Sequence, residues 1–128
     1  MKTVELVEEF HRVFGHTVAD SINIDNRKLN ALRVELIREE LEELGYALNT
    51  NDAIEVLDAL TDLQYVLDGA YLALGFSQYK DAAFNEVHRS NMSKLGADGK
   101  PIYRADGKIL KGVNYSEPNL AKVMGEED

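Results

Sequence analysis

Hydrophobic positions recur at helical spacing along the first three quarters of the chain and lose that period after Gly96. Val4, Leu6, Val7, Phe10, Val13 and Phe14 mark a first helix, capped by Thr3 and stopped by Gly15. A polar link over residues 16–26 leads to a second helix over about 26–48. On that helix Leu29, Leu32, Leu36, Glu39, Glu40, Glu43 and Ala47 share a face, and Ile37, Leu41, Leu44 and Leu48 lie beside it. Carboxylates therefore interrupt an apolar stripe, whereas Glu35, Arg38 and Glu42 fall on the side where charge meets water. A third helix begins at a capping box, Asp52 with Glu55, and runs to Leu74, with Gly75 as its stop. Val56, Leu57, Leu60, Leu63, Leu67, Ala70 and Leu74 make it apolar around most of its circumference, which marks it as central. Yet Asp58 and Asp62 stand on one face of it with Glu55, Tyr65 and Gly69.

A fourth helix over 77–95, capped by Ser77, carries Phe84, Val87, His88, Asn91 and Leu95 along one side. Both prolines and most remaining glycines follow it. Residues 97–104 (ADGKPIYR) and 105–112 (ADGKILKG) form an imperfect repeat, and its second Asp-Gly pair, between Ile102-Tyr103 and Ile109-Leu110, predicts a two-residue hairpin turn. Residues 115–128 read as irregular, with a frayed tip at Glu126, Glu127 and Asp128. The expected fold is all-α: a four-helix antiparallel bundle over 1–96, with a hairpin and irregular C-terminal extension of the same domain over 97–128.

Composition narrows the chemistry. With 128 residues, 45% apolar and 29% charged, the chain is one globular domain of ordinary composition. It has no cysteine, which excludes disulfides, thiol catalysis and Cys-ligated metal centres. Fourteen basic against 23 acidic residues give a net charge of −9, which argues against nucleic acid or an anionic membrane as partner. No apolar run approaches the ~20 residues of a membrane-spanning helix, and the N-terminus does not read as a signal peptide, so the expected compartment is the cytoplasm.

Helices joined by the short link at 49–51 pack antiparallel, and counting outward from that turn brings Glu39, Glu40 and Glu43 near Asp58 and Asp62. Converging carboxylates raise one another's pKa unless protons, basic partners or a metal compensate them. Oxygen-only donors suit Mg²⁺, Mn²⁺ or Ca²⁺ rather than zinc, and Mg²⁺ pairs with substrate phosphates. A bound cation would let an acidic cleft accept a polyphosphate. A Glu-rich helix more often presents a solvated face, but here the acids occupy the apolar stripe. Glu55 is accounted for by its capping box.

Other residues carry two readings each. His88, Asn91 and Lys94 lie along one edge of the fourth helix as candidate phosphate or base contacts, and His88 fits a core histidine as well. Lys108 and Lys111 are candidate substrate contacts or solvated tail residues. Arg33 is a candidate partner for an acid or a phosphate, and Phe10 and His11 for a nucleobase, although Phe10 also suits a core.

The run Glu39-Glu40-x-x-Glu43, followed by Asp58-Ala-Leu-Thr-Asp62-Leu-Gln-Tyr-Val, resembles the all-α nucleoside triphosphate pyrophosphohydrolases of the superfamily of MazG, dimeric dUTPase and phosphoribosyl-ATP pyrophosphohydrolase. Val87-His-Arg-Ser-Asn-Met-Ser-Lys94, Asp106-Gly-Lys-Ile-Leu-Lys-Gly112 and Val7-x-x-Phe10-His11 are similar to a compact MazG-like subgroup, phosphoribosyl-ATP pyrophosphohydrolase-like. The resemblance implies Mg²⁺-dependent cleavage of a (d)NTP to (d)NMP and pyrophosphate, in nucleotide-pool sanitation. Glu39, Glu40 and Glu43 map onto the first acidic motif. The second, usually ExxD, matches imperfectly, because Ala59 stands three residues before Asp62; Asp58 with Asp62 is the favoured pair and Glu55 with Asp58 the other. On this reading Glu40, Glu43, Asp58 and Asp62 hold Mg²⁺ (or Mn²⁺), and Glu39 or Glu40 activates water. Arg89, Lys94, Lys108 or Lys111 would steady pyrophosphate. Related enzymes build their sites at helix-bundle interfaces, which with the apolar third helix implies a homodimer or homotetramer.

Two other classes compete. The same bundle, catalytically silent, would bind a nucleotide or a protein partner. A di-iron carboxylate bundle needs two Glu-x-x-His pairs on core helices, and only Glu8-x-x-His11 exists.

Overall fold

A computed structural model describes residues 1–125; the expected fraying of Glu126, Glu127 and Asp128 lies outside the described residues. The order of elements is α1 (Thr3–Phe14), α2 (Arg27–Asn49), α3 (Ala53–Leu74), a 3₁₀ turn (Ser77–Tyr79), α4 (Lys80–Met92), β1 (Ile102–Tyr103), β2 (Ile109–Leu110) and α5 (Leu120–Val123). The described chain is thus mostly helical, with four helices of seven or more residues and one two-stranded sheet. None of its described helices is long and apolar enough to cross a membrane.

The caps follow the sequence at Gly15, which ends α1 in the left-handed conformation at φ 76°, and at Asp52 and Gly75, while Asn26 supplies a further one. Asn26 accepts from the Leu29 amide at 3.1 Å and starts α2. Asp52 accepts from the Glu55 amide at 3.1 Å and starts α3. Gly75, at φ 85°, ends α3 in the left-handed conformation, and a Cβ there would stand 2.0 Å from the Ser21 carbonyl oxygen. The link before α2 crosses α3 at that point. Its Ala19 and Asn23 amides donate to the Leu72 and Leu74 carbonyls, both at 2.9 Å, so the last turn of α3 has its acceptors satisfied.

Elsewhere the local details differ. Lys2, not Thr3, occupies the N-cap of α1, and its carbonyl accepts from the Glu5 and Leu6 amides. Ser77 opens a 3₁₀ turn rather than capping α4, which begins three residues later with no side-chain cap. Past Met92 the Lys94 and Leu95 amides reach back three residues instead of four, which carries a tightened helical path to Leu95.

Packing divides the chain into two units, Met1–Gln78 and the part from Tyr79 onward. In the first, α2 lies along α3, and α1 packs on α3. Val7, Ala47, Ala59, Leu72 and Ala73 are its buried apolar residues. Leu32, Leu41, Leu48, Leu57, Leu60 and Leu67 stay a third or more exposed on α2 and α3.

In the second unit α4 packs with α5. Glu86 accepts from the Asn119 amide at 2.7 Å and from Arg89 at 2.8 Å, while Arg89 donates to the Glu117 carbonyl at 3.0 Å. These bonds hold residues 117–119 against α4. The strands pair antiparallel, Ile102 with Leu110 and Tyr103 with Ile109.

The hairpin turn is a three-residue loop, not the two-residue turn that Asp106-Gly107 suggested. Arg104 donates to the Lys108 carbonyl at 2.8 Å and Gly107 to the Arg104 carbonyl at 2.9 Å, with Gly107 at φ 88°. A two-residue type I′ turn needs positive φ at both central residues, and Asp106 does not adopt it. Its side chain instead accepts from the Lys108 amide at 3.2 Å. The same three bonds recur at Gly96, Asp98, Gly99 and Lys100, at 2.8, 2.9 and 3.0 Å. The sequence repeat is therefore a repeat of one turn.

Candidate active site

The site begins with how α2 ends. Asn51 takes the left-handed conformation at φ 55°, which asparagine tolerates. Its amide donates to the Leu48 carbonyl, and the Asp52 amide to the Ala47 carbonyl, both at 3.2 Å, which is the paired bonding of a Schellman cap. Asp52 thus closes α2 with its backbone and opens α3 with its side chain. One residue shared by two caps fixes the register of the antiparallel pair.

Two small residues, Ala47 and Ala59, are buried where the helices meet. Above them lies a cleft of about 590 Å³, lined by the carboxylates Glu40, Glu43, Asp52, Glu55, Asp58 and Asp62, with Tyr46 and Thr50 toward the turn. No basic residue is among its lining. The arginine nearest in sequence is committed elsewhere: Arg38 bonds Glu35 and Glu42 on the outer face of α2. The solvent-side glutamates are charge-paired, and those on the cleft side are not served by Arg38. Burial first, then the Asp62 carboxylate, then those of Glu43, Glu39 and Asp58, push the Glu40 carboxyl above the usual glutamate range.

Of the residues expected to hold metal, Glu40, Glu43, Asp58 and Asp62 all line this one cleft. Glu39 is exposed on its outer shoulder with Glu42, Glu43 and Tyr46, and reaches Glu40 through its charge. At Glu55 the capping box forms by half, its amide donating to the Asp52 side chain but its carboxylate not returning the bond. The Asp52 amide that its carboxylate would have taken is already bonded to Ala47, so the Glu55 side chain lines the cleft. Tyr46 and Thr50 were missed, since neither an exposed tyrosine nor a helix-terminal threonine signals a cleft in sequence.

Arg33, expected at the substrate, is 4% exposed beneath α1 and α3. A Cβ on Gly69 would stand 3.0 Å from Nη1 of Arg33 and 3.0 Å from Nε2 of His11. His11 is itself buried; its Nδ1 lies 2.9 Å from the Thr17 carbonyl, and burial holds its pKa below the ordinary value. Asp68, fully buried on the same helix as Gly69, accepts from Gln64 at 3.1 Å. Sequence spacing put Gly69 on the acidic face of α3, but gave no sign that a guanidinium packs there.

His88, Asn91, Lys94, Lys108 and Lys111 belong to the second unit. His88 and Asn91 are exposed on α4. The Gly112 amide donates to the Lys94 carbonyl at 2.8 Å, which ties the residue after Lys111 to the end of α4. The Lys111 ammonium sits 4.7 Å over the Tyr115 ring, and Lys108 closes the hairpin loop.

The donor set is chemically suited to one kind of ion. Six of the lining side chains are carboxylates, hard oxygen donors that favour Mg²⁺ or Mn²⁺ over softer metals, and none carries nitrogen or sulfur. As placed, no three His, Cys, Asp or Glu side chains among the described residues converge on one point as ligands. The residues fit a hydrated hard cation by chemistry and by sharing one cleft.

What fold and site define together is a mostly helical protein with a carboxylate-lined cleft between two antiparallel helices. The phosphoribosyl-ATP pyrophosphohydrolase family model matches residues 7–91, which include both acidic helices, and the chain belongs to that family. The family lies within the MazG-like NTP pyrophosphohydrolase superfamily. The chain is also similar to "Uncharacterized protein L479" of Acanthamoeba polyphaga mimivirus, with 31% identity over 113 residues. That match covers 85% of this chain and 42% of the viral protein, so the chain spans less than half of that relative's length.

Proposed function

We propose that the protein is a Mg²⁺-dependent nucleoside triphosphate pyrophosphohydrolase that converts a (d)NTP to the monophosphate and pyrophosphate, in nucleotide-pool sanitation. The observation that carries this is the cleft in which Glu40 meets Asp62, Glu43 and Asp58 with no basic residue in the lining. Such a cluster disfavours itself electrostatically unless a cation joins it. Glu40, Glu43, Asp58 and Asp62 would hold that cation, with Glu55 as the added candidate. When bound, a hard divalent ion neutralises charge on the bridging phosphate oxygens during phosphoryl transfer.

The chain's own groups do the rest. The carboxylates position the polyphosphate by where they place the ion, and the buried floor of Ala47 and Ala59 keeps the two helices in register beneath it. We assign orientation of the attacking water to Glu40, which lines the cleft, before Glu39, which stands outside it. Breaking the α–β anhydride leaves pyrophosphate, whose charge calls for cations. Roles for His88, Asn91, Lys94, Lys108 and Lys111 in substrate binding are supported by charge distribution: residues 79–128 carry eight basic and eight acidic side chains, whereas residues 1–78 carry six basic and fifteen acidic, so the excess negative charge lies in the first unit.

A homodimer or homotetramer, and the four-helix antiparallel bundle, belong to the same proposal. Support for the oligomer comes from Leu41, Leu48, Leu57 and Leu60, which are 49–67% exposed on the two longest helices. A cytoplasmic setting, where nucleoside triphosphates are made and used, completes the reading.

The test is pyrophosphate release from a panel of purine and pyrimidine triphosphates with Mg²⁺. Release that is lost in Glu40→Ala and Asp62→Ala supports the enzyme. Nucleotide binding without any release supports a catalytically silent binding module.

A further inference from the structure

The face of α3 that carries Asp58 and Asp62 does not end at the cleft. Tyr65 is next along it, about 4.5 Å further up the helix axis at 1.5 Å per residue. There the Tyr65 ring meets Phe10 of α1 edge to face, with centroids 5.7 Å apart. Phe10 in turn packs against Phe14 at 4.6 Å and His16 at 5.5 Å. With the buried His11 ring, 5.2 Å from His16 and 6.4 Å from Phe10, these rings form one cluster of five within the first unit, and its outer side is open: Phe14 is 66% exposed, Tyr65 38%, and His16 is exposed too.

We propose that this aromatic cluster receives the base of the nucleotide whose phosphates occupy the carboxylate cleft. The inference rests on the pyrophosphohydrolase reading and deepens it, by naming the end of the cleft at which the nucleoside lies. A base is a flat apolar ring with a polar edge. Phe10 and Phe14 offer ring faces for stacking, and the Tyr65 hydroxyl and His16 nitrogens offer hydrogen-bond partners for the edge. The short run of helix between Asp62 and Tyr65 is of the order a pentose bridges between base and first phosphate.

Two alternatives are less well supported. Tyr46, at the other end of the cleft, stands 70% exposed beside Asp52 and Glu55, whereas Tyr65 and Phe10 are already assembled as a pair. A second copy docked face to face on the cluster would bring two sets of the adjoining carboxylates together. A neutral base carries no such repulsion.

The experiment combines side-chain NMR with kinetics on the full chain. A nucleoside, which carries no phosphate and needs no ion in the acidic cleft, should shift the ring signals of Phe10, Phe14, His16 and Tyr65 when added without divalent ion. Tyr65→Ala and Phe14→Ala should each raise KM for nucleoside triphosphates about tenfold or more while kcat changes less than about threefold, and Tyr65→Phe, which keeps the ring and loses only the hydroxyl, should raise KM less than Tyr65→Ala does. Phe14 is mostly exposed, so its variant stays informative if Tyr65→Ala fails to fold. Ring shifts centred on Tyr46, ring shifts that follow protein concentration without nucleotide, or an unchanged KM in Phe14→Ala would each overturn the proposal. Failure of the pyrophosphohydrolase reading looks different: the unaltered protein releases no pyrophosphate, yet the ring shifts persist.

Discussion

Glu40 on α2 and Asp62 on α3 face the same cleft, and after partial burial the Asp62 carboxylate is the strongest influence raising the proton affinity of Glu40. The two carboxylates oppose each other in the protein without its ion. This predicts a trade between stability and function at one residue. Glu40→Gln should stabilise the ion-free protein by a few tenths of a kcal/mol, roughly 0.2–0.5, the scale of a like-charge pair on a helix surface. It should also abolish pyrophosphate release. Urea unfolding in a chelating buffer, paired with the release assay, measures both; a less stable Glu40→Gln protein contradicts the like-charge account.

Gly69 tests the packing beyond the cleft. A methyl group there would stand 3.0 Å from both the Arg33 guanidinium and the His11 ring, two side chains that are themselves buried. Gly69→Ala should therefore cost about 1–3 kcal/mol, the usual range for overpacking. Thermal unfolding reads the loss. A melting temperature equal to the unaltered protein's would mean the seam has room to yield.

His11 gives the first unit a pH dependence of definite sign. Burial holds its pKa below 6.5, helped by the positive charges of Arg33 on α2 and His16 in the link, and the Thr17 hydrogen bond opposes them. The unfolded chain, with an ordinary histidine, thus binds the extra proton first as pH falls. Stability from this source is complete above pH 6.5 and declines as pH drops from 6.5 toward the lowered value. Urea midpoints at pH 7.5 and pH 5.5 should differ in that direction, and the difference should shrink in His11→Gln.

Glu86 acts at a lower pH and in the second unit. Its hydrogen bonds from Arg89 and the Asn119 amide push its pKa down to about 2. Its contribution is present above the ordinary glutamate pKa of 4.5 and is lost as pH falls from there toward about 2. Protection of the Asn119 amide, its exchange rate measured against the intrinsic rate at the same pH, should fall over that window. Glu86→Gln should exchange faster already at neutral pH and show a flatter profile; an unaltered rate would detach residues 117–119 from Glu86.

How much of this was legible in the sequence depends on the range of the interaction. Asn26, Asp52 and Gly75 act through their own backbone neighbours, and each ends or starts a helix as read. The face carrying Asp58 and Asp62 followed from helical period alone, and so did the cleft, because a short link leaves two long helices little choice but to pair. Glu55 was misread for a nonlocal reason: whether a capping box closes depends on whether the Asp52 amide is free, and the end of the previous helix had taken it. The turn at Asp106 differs because the sequence pattern admits two loop lengths, and side-chain bonding to the Lys108 amide selects the longer. The burial of Arg33 beneath α1 and α3 was not legible, because packing under other helices leaves no mark on a charged residue's own sequence neighbours.

The central claim is that acids from α2 and α3 jointly hold a hard divalent ion. Mn²⁺ added to the protein and followed by loss of the free-ion EPR signal tests it with no substrate present. The account predicts saturable uptake by the unaltered protein and markedly weaker uptake by Glu40→Ala and by Asp62→Ala, each remaining folded. Equal uptake by all three proteins, or none by the unaltered one, would contradict it.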